Sequence, residues 1–509
     1  MGRYARRVPT FRQTTPKDVH AHPNVVSLRH YLAHGVCAPF HFVMSSTSPV
    51  ERPYRWYREL SRYHWFVFIV AALGWLFDTM DQQLFNLARR PSMVELLRVD
   101  GVDASKADID HYGGIATAIF LLGWATGGLV FGVLGDRFGR AKVMMWTILA
   151  YSLCTGLSAF SIGFWDFAAY RFLTGLGVGG EFAVGVSLVA EAMPERARSM
   201  ALGWLQALSA VGNIMAACIS MSLGELEQQG LVGDWNVFGF KLTVWRLMFV
   251  VGTVPALLAL VIRSKLQEPE AWQKANKEGA LKKVTGLYGD LFGDPRWRKN
   301  ALVGMGLAFA GVVGLWGIGF FSFDLIDKVF TKHFENPDLG LKPEEIRGKI
   351  GLWKGITSVL QNVGGFFGIY FFSRITHVIG RKPAFAISFV LAMISTSFTF
   401  WYLDQFSEIF WMIPTMGFCQ LMLFGGYAIY FPELFPTRLR STGISFCYNV
   451  GRFVAAVGPF TFGYLTKYVF AGLEHEPMRY AGVSMCVIFL LGLAVLPFAP
   501  ETKGKPLPE

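Results

Sequence analysis

The sequence predicts an all-α integral membrane protein in which twelve transmembrane helices form two pseudo-symmetric six-helix bundles. Three observations predict this fold: few charges, long apolar runs and an internal repeat. Of the 509 residues, 53% are hydrophobic and 16% are charged, whereas soluble domains carry about 25% charged residues. The 55 glycines are typical of helices that pack closely in lipid. The composition therefore places the chain in a membrane.

Apolar stretches of about 18–25 residues recur along the chain, each long enough to cross roughly 30 Å of hydrocarbon. Backbone polar groups in lipid must be satisfied within the segment, so each stretch is predicted to be helical. The predicted spans are 64–85, 113–134, 142–162, 166–190, 200–222, 245–263, 300–323, 352–372, 383–403, 409–431, 443–466 and 479–498.

The spans and the polar stretches between them divide the chain into five predicted segments. They are a basic, disordered cytoplasmic tail (1–62), an N-terminal bundle (63–264), a cytoplasmic linker (265–299), a C-terminal bundle (300–499) and a short tail (500–509). No apolar signal segment is found in the first 60 residues. A translation start at Met44 in place of Met1 is left open.

An internal repeat relates the two predicted bundles. The string EAMPERARS at Glu191–Ser199 returns as ELFPTRLRS at Glu433–Ser441, with five of nine residues identical at an offset of 242. The Gly-Arg pair at 139–140 returns at 380–381, and the DxxD pattern at 78–81 returns at 324–327. A repeat of this length in an apolar chain is typical of a two-bundle secondary transporter.

Basic residues predict the orientation of the spans. The tail before the first span holds ten Lys and Arg, and the short loops that lie on its side of the membrane also contain Arg or Lys. By the positive-inside rule, both termini face the cytoplasm of an inner or plasma membrane. Two longer loops of mixed charge, 86–112 and 328–350, are predicted on the other side. The net charge of +11 is explained by this placement, and no nucleic-acid partner is expected.

Several function classes have no signature in the chain. The six cysteines form no CxxC or Cys/His metal spacing, and no phosphate-binding loop is present. No nucleophile and base stand in a recognisable arrangement. We expect no metal, no cofactor and no enzymatic activity. A transporter-like sensor is a further alternative, disfavoured because the tail after Pro500 is only nine residues long.

Two motifs resemble the signatures of the major facilitator superfamily. GDRFGR at Gly135–Arg140, between the second and third spans, resembles the superfamily's loop signature. RFLTGLGVG at Arg171–Gly179, followed by ExxPxR at Glu191–Arg196, resembles its fourth-helix signature. The resemblance covers about residues 60–500 and implies a monomer that transports a small molecule across a lipid bilayer by alternating access.

Two shorter patterns narrow the resemblance. GWLFDxxD at Gly74–Asp81 and YNVGR at Tyr448–Arg452 are similar to the sugar-porter and metabolite–proton symporter branch, which includes sialate and monocarboxylate permeases. In that branch an Asp of the first helix pairs with an Arg of the fourth, and protonation of the Asp releases the Arg. The resemblance therefore implies uptake coupled to protons, and it disfavours drug efflux.

Ionisable residues at membrane depth are the candidates for proton coupling, since each costs about 2.5–3.5 kcal/mol to insert. They are Asp78, Asp81, Arg171 and Glu181. The resemblance to the symporter branch implies that Asp78 pairs with Arg171. Asp81 lies three residues further along the same helix, so it is an alternative proton-binding group. Positions 413 and 423, which the repeat relates to Arg171 and Glu181, hold Ile and Leu. A structural residue would be expected in both halves, so the absence of these charges from the second half indicates a functional role for Arg171 and Glu181.

Arg452 is the main candidate for binding substrate. No acidic residue lies one turn away in its span, and a guanidinium binds a carboxylate through two parallel hydrogen bonds. An ion pair with Asp324 or Asp327 is the alternative. Uncharged polar residues of the spans are expected to hydrogen-bond the rest of the substrate or neighbouring helices; they are Asn449, Gln361, Asn362, Gln206, Gln420 and Asn213.

Charged residues of the loop motifs are predicted to hold the cytoplasmic side closed. They are Asp136, Arg137, Arg140, Glu191, Arg196, Arg381, Glu433 and Arg438. The predicted ion pairs join Glu191 to Arg137 or Arg140 and Glu433 to Arg381. His377 stands where the repeat would place a second Asp136, so we expect a weaker lock there.

The expected function is symport of a proton with a small organic anion, such as a monocarboxylate or an acidic sugar. The alternative is symport of a proton with a neutral sugar. The unpaired Arg452 favours the anion.

Overall fold

The computed structural model describes residues 55–98, 102, 104–232, 235–237, 239–277, 287–455, 458–473 and 476–508. The predicted tail up to residue 54, and with it the alternative start at Met44, lies outside the described residues.

Both halves of the described chain consist mainly of helices. The helices of the first half are α1 (Arg62–Leu96), α2 (Lys106–Phe138), α3 (Arg140–Ser158), α4 (Phe164–Ala192), α5 (Glu195–Gln228), α6 (Val244–Val251) and α7 (Ala256–Lys265). Two short helices, α8 (Glu270–Lys277) and α9 (Leu287–Gly293), lead to the second half.

The second half repeats this order with more interruptions. Its helices are α10 (Pro295–Val312), α11 (Ser322–Phe334), α12 (Pro343–Ile379), α13 (Arg381–Tyr402), α14 (Ile409–Leu434), α15 (Arg440–Ala455), α16 (Gly458–Tyr464), α17 (Pro477–Met485) and α18 (Ile488–Val495). π-Helical turns follow α10 (Val313–Ile318) and α16 (Leu465–Val469).

Short elements complete the described chain. Strands β1 (Asn236–Val237) and β2 (Phe240–Lys241) form an antiparallel hairpin between α5 and α6. The 3₁₀ turns are Trp56–Arg58, Gly319–Phe321, Pro337–Leu339, Phe406–Glu408, Thr437–Leu439 and Leu496–Phe498.

Every predicted span coincides with one helix or with two consecutive helices. Among the described residues, eight helical segments are long and apolar enough to cross a membrane. The sixth span is broken between α6 and α7, where Pro255 precedes the second piece. The twelfth is broken between α17 and α18.

The prediction of two long loops at 86–112 and 328–350 is wrong, because helices cover much of both ranges. Helix α1 continues through Pro91 to Leu96, and α2 starts at Lys106. Helix α12 starts at Pro343, only nine residues after α11 ends. Charged residues mark where a segment leaves hydrocarbon, but they do not stop a helix, so these spans extend as helices beyond the apolar run.

A glycine in the left-handed region separates the second and third helices of each bundle. Gly139 (φ 109°) ends α2 and begins α3, and Gly380 (φ 94°) does the same between α12 and α13. A side chain at such a φ is strained. The Gly-Arg repeat thus marks two equivalent turns, each of which places an Arg at the start of a helix.

Glycine contacts hold the central helices of each bundle together. A Cβ on Gly123 or Gly127 of α2 would overlap the α4 backbone, and a Cβ on Gly179 of α4 would overlap the α2 backbone. In the second half, Gly364 and Gly368 of α12 meet the backbone of α14 in the same way, 241 residues later. The repeat therefore conserves the closest helix approaches as well as the turns.

The two bundles meet along two main helix pairs. Helix α5 packs against α12, and α2 packs against α15. The loop between α2 and α3 and the loop between α12 and α13 lie at the same end of the helices. We call it the basic end and mark it by Arg140 and Arg381; the other end, where α1 finishes at Leu96, is the opposite end.

We expect Gly179→Ala to destabilise the protein by about 1–3 kcal/mol, because the added methyl overlaps the backbone of α2 and forces the helices apart. The measurement is the midpoint of thermal unfolding in detergent. Gly114→Ala is the matched control, since nothing lies within 4 Å of a Cβ there. Equal midpoints for the two variants would contradict this account of the α2–α4 contact.

Candidate functional site

A cavity of about 130 Å³ lies between the bundles. Its walls come from both halves of the chain and combine aromatic rings with amide side chains. The lining residues are Trp75, Thr79, Gln82, Gln83, Asn86, Trp124, Gln206, Ser209, Asn213, Leu315, Trp316, Gly319, Phe323, Ser358, Gln361, Asn362, Leu421, Phe424, Tyr448 and Arg452.

Arg452 is the one charged side chain among the residues that line this cavity. Its guanidinium carbon lies 4.1 Å from the ring centre of Trp124 and 4.2 Å from that of Tyr448. Nη1 donates to Asn449 Oδ1 at 2.7 Å, while Nε has no hydrogen-bond partner among the described residues. The rings hold the cation by cation–π attraction, and the unsatisfied N–H suits an anionic ligand.

The structure divides the predicted substrate residues into two groups. Gln206, Gln361 and Asn362 line the cavity together with Arg452. Asn449 and Gln420 are not among the lining residues: Asn449 bonds to Arg452 and to the carbonyl of Ser445, and Gln420 donates to the Thr396 hydroxyl. Asn449 therefore positions Arg452, and Gln420 joins α13 to α14.

Amide groups connect the bundles across the cavity. Asn213 Nδ2 of α5 donates to Asn362 Oδ1 of α12 at 2.8 Å, and Gln83 Nε2 of α1 donates to Ser358 Oγ of α12 at 3.3 Å. A ligand that takes these bonds for itself would loosen contact between the bundles at the cavity. Of these four residues, sequence reasoning singled out Asn213 and Asn362 and missed Gln83 and Ser358, although Gln83 lies close to the acidic pair of the first span.

The predicted alternative partners of Arg452 are engaged elsewhere. Asp327 of α11 forms an ion pair with Lys354 at 2.6 Å, and its side chain is 40% exposed. Asp324 lies on the same helix within electrostatic range of Lys354 and Arg89. The observed arrangement leaves Arg452 facing the cavity.

Asp81, and not Asp78, is the acidic residue next to Arg171. The Asp81 Oδ2 to Arg171 Nη1 distance is 4.0 Å, and both side chains are fully buried. Arg171 also donates to Ser158 and Thr174. The pairing of Asp78 with Arg171 expected from the resemblance is therefore wrong. Asp78 lies three residues before Asp81 and is turned by about 60° from it, and its electrostatic partners include Glu181 of α4 and Arg452 of α15.

Asp78 and Glu181 form a second acidic group. Both are 1% exposed, and neither Asp78 oxygen has a hydrogen-bond partner among the described residues. Glu181 Oε2 accepts from the Thr147 hydroxyl at 3.3 Å. Asp78 lies within electrostatic range of Glu181, Asp81 and Arg452. Buried carboxylates without a fixed cation are suited to binding protons.

At the basic end, Asp136 caps a helix of the other bundle. Its carboxylate accepts from the backbone N–H groups of Ser441 and Thr442 at 3.1 and 2.8 Å and from the Thr442 hydroxyl at 2.7 Å. These residues begin α15, so the negative charge meets the positive end of the helix dipole. The contact fastens α2 to α15.

An ion-pair network continues from Asp136. Arg140 contacts Asp136 at 2.9 Å and Glu191 at 3.0 Å, and it donates to the Thr437 carbonyl of the second half at 2.6 Å. Arg440 reaches Glu191 from the second half at 2.8 Å. Glu191 therefore joins an Arg of each bundle. Arg440 was not among the predicted lock residues, although the repeat placed it in the same string.

The equivalent network in the second half is smaller. Arg381 pairs with Glu433 at 2.7 Å and donates to the Ser199 hydroxyl of α5 at 3.1 Å. His377, at the position related to Asp136, has no hydrogen-bond partner for Nε2 among the described residues. The carboxylate that fastens α2 to α15 thus has no counterpart between α12 and α5.

Three of the predicted lock residues lie away from these networks. Arg137 and Arg196 are exposed, and Arg137 packs on the Phe138 ring. Arg438 is half-exposed and lies 3.7 Å from Asp290 of α9. Sequence spacing identified the charged loops but did not distinguish the side chains that turn inward from those that face solvent.

Two glutamates that the sequence reasoning did not select cap the third helix of each bundle. Glu268 accepts from the backbone N–H groups of Arg140, Ala141 and Lys142, and Glu501 accepts from those of Arg381 and Lys382. Each follows the last span of its own bundle, so the acidic residues just after the sixth and twelfth predicted spans were the signal available in the sequence.

The two caps differ in their electrostatics. Burial raises the pKa of Glu268 above its usual range despite its three backbone donors. Burial also opposes ionisation of Glu501, but its backbone N–H donors outweigh that effect and hold the pKa of this carboxyl below its usual range. The ionised cap of α13 is therefore retained to lower pH than that of α3.

We expect Asp136→Asn to shift the protein toward a state that is open at the basic end, because it removes the charge from three hydrogen bonds worth about 1.5–3 kcal/mol each when ionised. The measurement is the distance between spin labels on α2 and α12, placed at exposed Arg137 and Arg374 in a cysteine-free background. His377→Asn is the matched control, and we expect a smaller shift from it. Equal shifts would show that Asp136 does not hold the bundles together.

Comparison with known proteins identifies the family of this chain. Residues 71–289 and 412–509 match the family model described as sugar (and other) transporter. A putative metabolite transport protein of Haemophilus influenzae is 29% identical over 458 residues, covering 88% of this chain and 99% of that protein. The sialic acid transporter NanX of Escherichia coli is 26% identical over 445 residues, covering 86% and 96%.

A solved structure has the same fold. The proton:xylose symporter XylE, bound to 6-bromo-6-deoxy-D-glucose, superposes with a TM-score of 0.66 at 18% identity, over 87% of this chain and 98% of that one. The twelve predicted spans therefore form two six-helix bundles, as the repeat predicted. The chain belongs to the sugar (and other) transporter family, and it is a multi-pass membrane transporter and not an enzyme.

Proposed function

We propose that this transporter carries a small organic anion, either a monocarboxylate or an acidic sugar, together with a proton by alternating access. The basic end faces the cytoplasm of an inner or plasma membrane, as the positive-inside rule requires. The carrier acts as a monomer, with the anion, the proton and the bilayer as its partners.

Arg452 in the cavity is the observation on which the proposed substrate rests. Among the described residues, the buried Arg452 guanidinium has no carboxylate within ion-pair distance and its Nε has no acceptor, which is costly in a site excluded from water. A substrate carboxylate would bring acceptor atoms into direct contact with the guanidinium, whereas Asp78 lies only within electrostatic range of it. The similarity to a protein named as a sialic acid transporter supports an anionic substrate.

The buried carboxylates support proton coupling. Asp78 lies within electrostatic range of both Glu181 and Asp81, and Arg171 lies beside Asp81. Closely spaced carboxylates in a low dielectric cannot all ionise, so they bind protons readily. Thr79, the neighbour of Asp78 on α1, lines the cavity. Protonation of these carboxyl groups therefore changes the charge close to the bound substrate.

The networks at the basic end support alternating access. Glu191 bridges Arg140 and Arg440 of opposite halves, and Asp136 caps α15. They hold the cytoplasmic side shut and break when the bundles rock about the cavity. The Arg381–Glu433 ion pair of the second half also helps to hold this side shut, but it forms fewer hydrogen bonds between the bundles.

A neutral sugar is the alternative substrate. The amides of Gln82, Gln206, Gln361 and Asn362, with the Trp75 ring, resemble a surface that hydrogen-bonds hydroxyls and stacks on a pyranose. In this alternative Arg452 would serve to stabilise the fold through its contacts with Trp124 and Tyr448, and its charge would not be needed for transport.

We expect Arg452→Gln to lower proton-driven uptake of a labelled acid by about 10- to 100-fold, the loss of one charge-assisted interaction of about 1.5–3 kcal/mol. The assay imposes an acidic exterior on proteoliposomes and tests lactate, sialate and xylose. Arg374→Gln, which removes an exposed arginine of α12, is the matched control. Xylose uptake that survives Arg452→Gln would establish the neutral-sugar alternative and overturn the anion.

A further inference from the structure

The carboxyl groups of Asp78 and Glu181 lie against one face of α1. Gly74 precedes Asp78 by one helical turn, so the two residues share a face. A methyl group on Gly74 would overlap Glu181 Oε1. The absence of a side chain at Gly74 therefore admits the Glu181 carboxyl group of α4 to the surface of α1 on which Asp78 lies.

Other titratable and charged groups face this pair from α1, α3 and α15. Asp81 lies on α1, Tyr151 on α3, and Tyr448 and Arg452 on α15; all four are within electrostatic range of Asp78. Both phenols are buried, so they stay neutral. The cationic groups that decide the charge balance are thus Arg452 and, beside Asp81, Arg171.

The buried charges in the middle of the described bundles do not balance. Between the basic end and the Glu95–Arg246 ion pair near the opposite end, the buried acidic and arginine side chains are Asp78, Asp81, Arg171, Glu181 and Arg452. Asp81 and Arg171 neutralise each other. Two carboxyl groups then remain for one guanidinium, and an uncompensated charge at this depth is costly.

Charge balance fixes the proton content of the two states. Without substrate, one carboxyl of the pair must be ionised as counter-ion to Arg452 while the other holds a proton. When a substrate carboxylate reaches Arg452, the ionised member loses its cation and must take up a second proton. Substrate binding and proton uptake therefore occur together, because Arg452 compensates only one negative charge.

We propose that Asp78 and Glu181 share one resident proton in the substrate-free carrier and that each monocarboxylate enters with one further proton. This inference rests on the proposed function and assigns its stoichiometry. Transport is then electroneutral, driven by the pH gradient and insensitive to the membrane potential. A dicarboxylate is excluded, because the described residues around the cavity offer no second buried cation to compensate its second charge.

The test measures the number of protons carried with each anion. Proteoliposomes receive opposing pH and anion gradients, and the gradient at zero net flux of labelled lactate or sialate gives the ratio. We expect a ratio of one for the wild type, with no effect of a potassium–valinomycin potential. Asp78→Asn and Glu181→Gln slow uptake but keep the ratio at one, because the remaining carboxyl still alternates between ionised and protonated.

The double variant Asp78→Asn/Glu181→Gln separates the alternatives. We expect its ratio to fall to zero, and anion accumulation to follow an inside-positive potential instead of the pH gradient. Asp338→Asn/Glu335→Gln, at exposed positions near the opposite end, is the matched control with a ratio of one. A single variant whose ratio falls to zero, or a double variant that keeps a ratio of one, would overturn the shared proton.

An infrared measurement tests the resident proton without transport. At neutral pH and without substrate, we expect the C=O band of protonated buried carboxyl groups to weaken in each single variant, because the remaining carboxyl ionises to balance Arg452. An unchanged band in both variants, each eluting as a folded monodisperse peak, would overturn the proposal. If neither lactate nor sialate enters wild-type vesicles, the proposed function itself fails, and the inference fails with it.

Discussion

Compensation of buried charge is the constraint on which the rest of this structure depends. Away from water, an ionised side chain persists only beside an opposite charge or several hydrogen-bond donors. The chain meets this condition fully at the basic end, where Glu191 lies between Arg140 and Arg440. In the middle of the membrane it meets the condition only in part. The deficit around Arg452 is where a ligand and a proton have a reason to bind.

Close helix packing makes that arrangement possible. Glycines at the contacts of α2 with α4 and of α12 with α14 bring backbones together, and they form two bundles whose shared surface holds the cavity. Gly74 does the same for a side chain, since it leaves space for Glu181 against α1. The same small residue therefore serves the fold in one place and the charge cluster in another.

The cavity and the basic end are joined through two helices. Helix α15 begins at the residues that Asp136 caps and carries Arg452 three turns further on, while α4 carries Arg171 and Glu181 and ends beside Glu191. A change of charge at Arg452 thus acts on the helix whose first turn fastens the bundles together. The second half has no equivalent cap, because His377 stands in place of a carboxylate.

The sequence by itself determined the fold and the location of the charged groups along it. Apolar length, glycine content and the repeat at 242 residues specify twelve helices in two halves, because hydrocarbon thickness and backbone hydrogen bonding leave few other solutions. Only the tertiary structure decided the pairing: Asp81 and not Asp78 lies beside Arg171, Asn449 supports Arg452 outside the cavity, and Glu268 and Glu501 cap helices more than 100 residues away in the chain. The physical reason is that a helical periodicity gives the face of a residue but not the helix that packs against it.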